Sequence, residues 1–95
     1  MSDKQFILVV YDISHDRRRT KLHNRLKDFG TPVQYSVFEC LLDDDELARM
    51  KKAVAKIIKP RLDRVRYYPL CQRCLRDVSV TSGPEVLHQT EVTVV

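Results

Sequence analysis

No apolar run in these 95 residues approaches the roughly 18–20 needed to cross a bilayer, so the sequence contains no candidate membrane-spanning helix. The opening "MSDKQFILVVYD" has only a short apolar stretch that ends in a charge. It lacks the longer apolar segment and small-residue cleavage site of a secretory leader, and a cytoplasmic protein is expected. Cysteine is scarce: Cys40, Cys71 and Cys74 are three, an odd number that argues against a disulfide framework. "CQRC" (Cys71 to Cys74) has the spacing of half a zinc site, but no second CxxC or histidine pair completes it. The thioredoxin-like setting of a redox CxxC is also missing, which leaves a turn with small apolar side chains. There are no internal repeats, linkers or low-complexity segments, so residues 1–95 read as one domain.

What is present is a sequence with 43% hydrophobic residues, ordinary for a globular fold and too many for a disordered one. A domain this small buries a modest core, and self-association would help it. The net charge of +4 is a modest basic excess, compatible with nucleic acid or an acidic partner. Its placement says more than its size. Six basic residues fall between Arg17 and Lys27.

"QFILVVYD" (Gln5 to Asp12) reads as a strand central in its sheet. Ser14 or Asp16 is expected to cap a helix in which Leu22, Leu26 and Phe29 form the apolar face. Gly30 is expected to stop that helix in a left-handed cap, with Pro32 preventing its return. "VQYSVFECLL" (Val33 to Leu42) reads as a second strand with an anomaly. Its apolar residues shift parity from Val33, Tyr35 and Val37 to Phe38, Cys40 and Leu42. The shift predicts a bend near Ser36 to Phe38, or a far half apolar on both sides because a second subunit packs there. "DDDELARMKKAVAKIIKP" (Asp43 to Pro60) is a helix with Leu47, Met50, Val54, Ile57 and Ile58 as its buried stripe. Its acidic start is read as capping rather than metal binding. Arg61 to Leu70 is a third strand ended by Pro69, "CQRCLRD" a turn or short helix, and Val78 to Ser82 a fourth strand. A terminal strand over about 84–95 closes the chain. The expected fold is α+β: a ferredoxin-like α/β sandwich with one sheet, two helices on one face and an extra C-terminal strand. The other sheet face is left bare, to be covered by a partner or by the C-terminal strand, and a homodimer through that open face is expected. The C-terminal strand is expected to pair across that dimer.

Asp12 stands where an apolar strand gives way to a cationic helix. A carboxylate there can help hold Mg²⁺, which takes one or two carboxylates plus waters and substrate phosphate. The arginines suit phosphate oxygens, which they grip bidentately. Acid for metal beside base for backbone is coherent as a phosphodiester-cutting site. One carboxylate holds the ion weakly, and two copies of Asp12 across a twofold axis would remedy that. The alternative is an Asx-type cap of the turn "DISHD". Arg18 and Arg19 lie nearest Asp12 on the helix wheel, while Arg17 and Lys21 suit a wider phosphate track. His15 either shuttles a proton or is simply exposed. His23 and His88 carry no pattern. Tyr11 and Phe38 either stack on bases, buttress the site or belong to the core.

The stretch "YDISHDRRRTKLHNRLKDFGTPVQYSVFEC" resembles the Cas2 family, the small CRISPR-associated endonucleases of spacer acquisition. The resemblance rests on "YDIS" ending the first strand, on "RRRTKL", on the following glycine and on "VQYSVFEC". It covers residues 6 to 42 strongly. It implies a ferredoxin-like homodimer with Mg²⁺ between paired aspartates, and metal-dependent cleavage of single-stranded RNA or double-stranded DNA. Carried onto this sequence, the metal aspartate is Asp12, with Tyr11, Arg19 and Phe38 as its catalytic neighbours. Lys21 stands where some members have arginine. The resemblance also implies a Cas1 integrase as partner in spacer acquisition and antiviral defence. There a second reading applies, a non-catalytic DNA-binding scaffold bridging integrase dimers. A toxin-type RNase on the same fold is a third, by analogy only. No base-reading motif is present, so low sequence specificity is expected.

Overall fold

The structure, a computed structural model, describes residues 4–81, and the expected strand over 84–95 lies outside the described residues. The first strand, β1, spans Gln5–Asp12, as its apolar run predicts. Helix α1 spans Asp16–Leu26. Its N-cap is neither Ser14 nor Asp16 but His15, whose Nδ1 accepts the Arg18 backbone N–H at 3.3 Å. Imidazole nitrogen thus takes the position usually given to a side-chain oxygen.

The expected second strand is two strands. β2 (Gly30–Gln34) and β3 (Val37–Leu42) pair antiparallel, with Tyr35 and Ser36 as the turn between them. Ser36 carries a positive φ of 61°, the left-handed conformation that a tight reversal requires. A parity shift that no single strand can hold is resolved here by turning the chain back. After the turn Phe38, Cys40 and Leu42 are buried, whereas Val33 and Tyr35 before it are exposed. The register skips Val33 between Pro32 and Gln34. That bulge adjoins a proline that has no N–H to give the ladder, and β2 is an edge strand where this is tolerated.

Gly30 opens β2 instead of capping α1 in a left-handed conformation. Lys27, in right-handed conformation, is the C-cap. Helix α2 (Asp44–Ile57) is capped by Asp43, which accepts the Glu46 N–H at 2.8 Å, while Glu46 accepts the Asp43 N–H at 2.9 Å. The acidic start is therefore a reciprocal capping box. β4 spans Arg64–Leu70 and runs through Pro69 rather than ending on it. Pro69 is accommodated because β4 is an edge among the described residues. A short helix, α3 (Gln72–Arg76), follows. Val78 to Thr81, expected as part of a strand, are irregular and exposed.

The sheet order is β2-β3-β1-β4, every neighbouring pair antiparallel. Ile7, Val9 and Tyr11 of β1 and Phe38, Cys40 and Leu42 of β3 meet Leu22 and Leu26 of α1 and Met50 and Val54 of α2 in one core. Both main helices thus cover the same sheet face. Of the residues of opposite parity, Phe6 and Glu39 are buried, whereas Leu8, Val10, Val37 and Leu41 are half-buried and Tyr68 is 40% exposed.

Candidate functional site

Asp12 is the last residue of β1 and is exposed. Ile7, Val9 and Tyr11 face the helices, so strand alternation points Asp12 to the open face with Phe6, Leu8 and Val10. Among the described residues its carboxylate accepts no hydrogen bond and forms no ion pair. The Asx-type alternative is not formed, and His15 does the capping. Directly opposite Asp12 in the β1–β4 register is Arg64, also exposed. Cross-strand partners share a face with Cβ atoms about 4.5–5.5 Å apart. Arg66, two residues on, occupies the same face and donates from Nη1 to the Tyr68 hydroxyl at 3.0 Å. These two arginines were missed in the sequence, though the alternation "RVRY" is the signal that they project together.

The other expected residues gather on the helix side. Arg19 donates from Nη1 to the Ile13 carbonyl at 2.9 Å and pairs with Asp16. It lines a pocket of about 400 Å³ with Tyr11, His23, Tyr35 and Ser36. The Tyr11 hydroxyl lies 3.2 Å from His23 Nδ1. Burial lifts the Tyr11 phenol above its ordinary value, against the opposing pull of the Ser36 hydrogen bond and the Arg19 charge. Phe38 is fully buried, so it has no face for a base to stack on. It lies edge-on to His23, with ring centroids 5.1 Å apart, and 6.4 Å from Tyr11. Its place is that of a buttress.

Arg18 grips Asp63 with both arms, Nε to Oδ2 at 2.7 Å and Nη2 to Oδ1 at 3.1 Å. Asp63 also accepts the Lys59 backbone N–H at 2.9 Å. The Asp63 side chain is fully buried and that of Arg18 is 15% exposed. The Arg18 bond, despite the cost of burial, holds the Asp63 carboxyl below its usual range. Asp63 stands in the sequence as a lone acid among the bases of "RLDRVR", and nothing local marks it as Arg18's partner. Arg17 and Lys21 are exposed along the outer side of α1.

Among the described residues no group of three or more His, Cys, Asp or Glu converges as a metal site. Cys71 caps α3, its Sγ 3.5 Å from the Cys74 N–H, and both thiols are exposed. Magnesium, implied by the resemblance, prefers hard oxygen donors and ordinarily takes one or two carboxylates. Asp12 fits in donor type and exposure, and one chain supplies one such group.

The family model described as CRISPR associated protein Cas2 matches residues 5–78. A CRISPR-associated endoribonuclease Cas2 of Synechocystis is 39% identical over 77 residues, 81% of this chain and 84% of that protein. A CRISPR-associated endonuclease Cas2 of Thermus thermophilus is 42% identical over 67 residues, 70% of this chain and 74% of that protein. A chain in a solved partial Cas6-RT-Cas1–Cas2 complex superposes with a TM-score of 0.76 at 26% identity, covering 88% of this chain and 92% of its own length.

Proposed function

The chain belongs to the Cas2 family of CRISPR-associated proteins, and from that premise we propose that it is a Mg²⁺-dependent endonuclease acting as a homodimer in CRISPR adaptation. The order βαββαβ through β4 and the strand order β4-β1-β3-β2 support the ferredoxin-like reading. The proposal rests on one observation: Asp12 is exposed at the end of the same open face that carries half-buried Leu8 and Val10. A second copy covering those apolar residues, with the twofold axis running beside the end of β1, would set the two Asp12 carboxylates opposite each other.

Asp12 from each copy would hold the ion, which when bound polarises a phosphoryl oxygen and activates water. Arg64, fixed opposite Asp12 by the ladder, is placed to receive a phosphate of the substrate backbone. Arg17 and Lys21, exposed along α1 on the helix side, offer separate phosphate contacts that read no bases. Arg19 and Tyr11 act from the helix side, where Arg19 ties the Ile13 carbonyl just after Asp12 and so fixes the exit of the strand. Arg18 secures the start of α1 through Asp63. The partner expected in adaptation is a Cas1 integrase, the protein named with Cas2 in the complex that this chain resembles.

Replacing Asp12 with Asn keeps size and removes the charge that holds the metal. Mg²⁺-dependent cleavage of single-stranded RNA and of duplex DNA should fall at least a hundredfold, while duplex binding is retained. Undiminished cleavage by Asp12→Asn would end the nuclease proposal. Spacer capture that survives the substitution in a complex with Cas1 would assign this member the scaffold role.

A further inference from the structure

The helix layer carries a second cationic feature, remote from Asp12. Lys21 and Arg25 stand one turn apart on α1, and Arg49, Lys52 and Lys56 form a row on α2. All five are exposed, and all five line one groove of about 480 Å³ where the two helices pack. Among the described residues no acid lines that groove. Among the described residues, the ion pair made by any of the five is that of Arg25 with Asp28. Glu46, three residues before Arg49, pairs with Lys4 and also feels the Arg49 charge, but it lies outside the groove.

Five like charges around one concavity repel each other, and that cost is relieved when a polyanion enters. The row from Arg49 to Lys56 covers seven helical steps, about 10 Å at 1.5 Å per residue. Duplex nucleic acid offers one charge per about 1.7 Å of its axis, so several phosphates fall within that row. Helix packing explains why the row is not a random scatter of surface charge. Met50 and Val54 point into the core, which fixes 49, 52 and 56 along one border of the buried stripe, beside the flank of α1 that carries 21 and 25.

We propose that the α1–α2 groove is a phosphate-binding track that holds a nucleic-acid backbone on the helix side of the sheet, away from the Asp12 face. This rests on the reading that the protein handles nucleic acid, and it adds where a strand lies outside the cutting seam. A duplex on this track leaves the open face available to a second copy of the chain. One dimer then presents two such tracks on its outer surfaces.

The test uses the full chain and a random-sequence DNA duplex, with binding measured as a function of salt for the wild type, Lys52→Ala/Lys56→Ala, Lys51→Ala and Asp12→Asn. Lys51 is the internal control. It shares α2 and carries the same charge, but its Nζ lies over the Tyr67 ring, 5.3 Å from the centroid, and outside the groove. The groove double variant should weaken binding and lower the slope of log K against log salt by about 2, near 0.9 for each lost phosphate contact. Lys51→Ala should leave the slope as in the wild type. Mg²⁺-dependent cleavage at saturating nucleic acid should persist in the groove variant and be lost in Asp12→Asn. Equal slopes for the groove variant and the wild type, or equal losses for Lys51→Ala and the groove variant, overturn the track and leave the nuclease reading standing. Binding of poly-glutamate that falls in the groove variant while duplex binding does not also overturns it. A wild type that fails to bind the duplex overturns the track, and one that also fails to cleave single-stranded RNA sinks the nuclease reading with it.

Discussion

Gly30 is needed for what lies beside it, not for its backbone angle. A Cβ at this position would overlap Cys40 Sγ and the Glu39 carbonyl oxygen, and would stand 3.1 Å from Cys40 Cα. The carbonyl belongs to the adjacent strand and cannot rotate away as a side chain would. Gly30→Ala should therefore lower the free energy of unfolding by about 1–3 kcal/mol, the range for overpacking a close contact, measured as a shift of the urea midpoint at constant slope. Adding Cys40→Ala, which removes the sulfur but not the carbonyl, should not restore stability. Full rescue by the second substitution would mean that the sulfur alone sets the constraint. Cys40 itself is a packing residue, since burial and then Glu39 push its thiol up to about 11.

At the scale of elements, the contact that joins the start of α1 to the loop before β4 is the Arg18–Asp63 pair. Removing one partner leaves the other charge in a largely dry place, a cost of roughly 3–5 kcal/mol for a fully buried pair. Arg18 keeps some solvent contact, so Asp63→Ala is expected near the lower end, about 3 kcal/mol. The pH dependence has a definite sign. Asp63 has its folded pKa depressed, so its contribution is complete above the ordinary unfolded value of about 3.9 and is lost as pH falls through the folded value. Acid titration of stability should show a decline in the wild type below about pH 4 that is shallower in Asp63→Ala. Parallel acid limbs in the two proteins would show that Asp63 is not the group responsible. The β2–β3 hairpin is the other element-scale device. Its turn places the Ser36 carbonyl 3.1 Å from the Tyr11 N–H, and so ties the reversal to the residue beside Asp12.

For the whole molecule, the sheet has one face covered by two helices and one face only partly covered. Leu8 and Val10 sit in the central strand of that second face, and Leu41 and Tyr68 flank them on neighbouring strands. Leu8→Asp would place an unpaired charge in the middle of the proposed seam, where desolvation without a partner is costly. Static light scattering should then report a monomer, and Mg²⁺-dependent cleavage should fall together with the dimer. Residues of the α1–α2 groove lie on the opposite side, so nucleic-acid binding by a single chain should survive. Dimers that persist with unchanged cleavage would show that the copies meet elsewhere. The two charged regions divide the molecule in this way: Asp12 with Arg64 on the sheet side, and the five-cation groove on the helix side.

The linear sequence determined the type of the main elements, because burial periodicity is a local property, but not the strand expected from Val78, where Val78 to Thr81 are irregular. The stripe Leu22–Leu26 and the stripe Met50–Val54 are buried as their patterns require, and the run Gln5 to Asp12 forms the central strand, with Phe6, Ile7, Val9 and Tyr11 buried and Leu8 and Val10 half-buried. The family, too, was legible in the stretch that begins "YDIS". The hairpin was half legible: the parity shift at Ser36 marked a discontinuity, but whether the chain bends or reverses depends on which strand then pairs with β3. Sequence proximity misled where a strand end was concerned. Arg18 and Arg19 follow Asp12 closely in the chain, yet alternation turns Asp12 to one face while the helix carries the arginines to the other. Only the antiparallel register set Arg64 opposite Asp12, and only the docking of α1 on α2 turned five scattered cations into one groove. Those are long-range pairings between residues dozens of positions apart. They are decided by how the buried faces fit together, which no local pattern encodes.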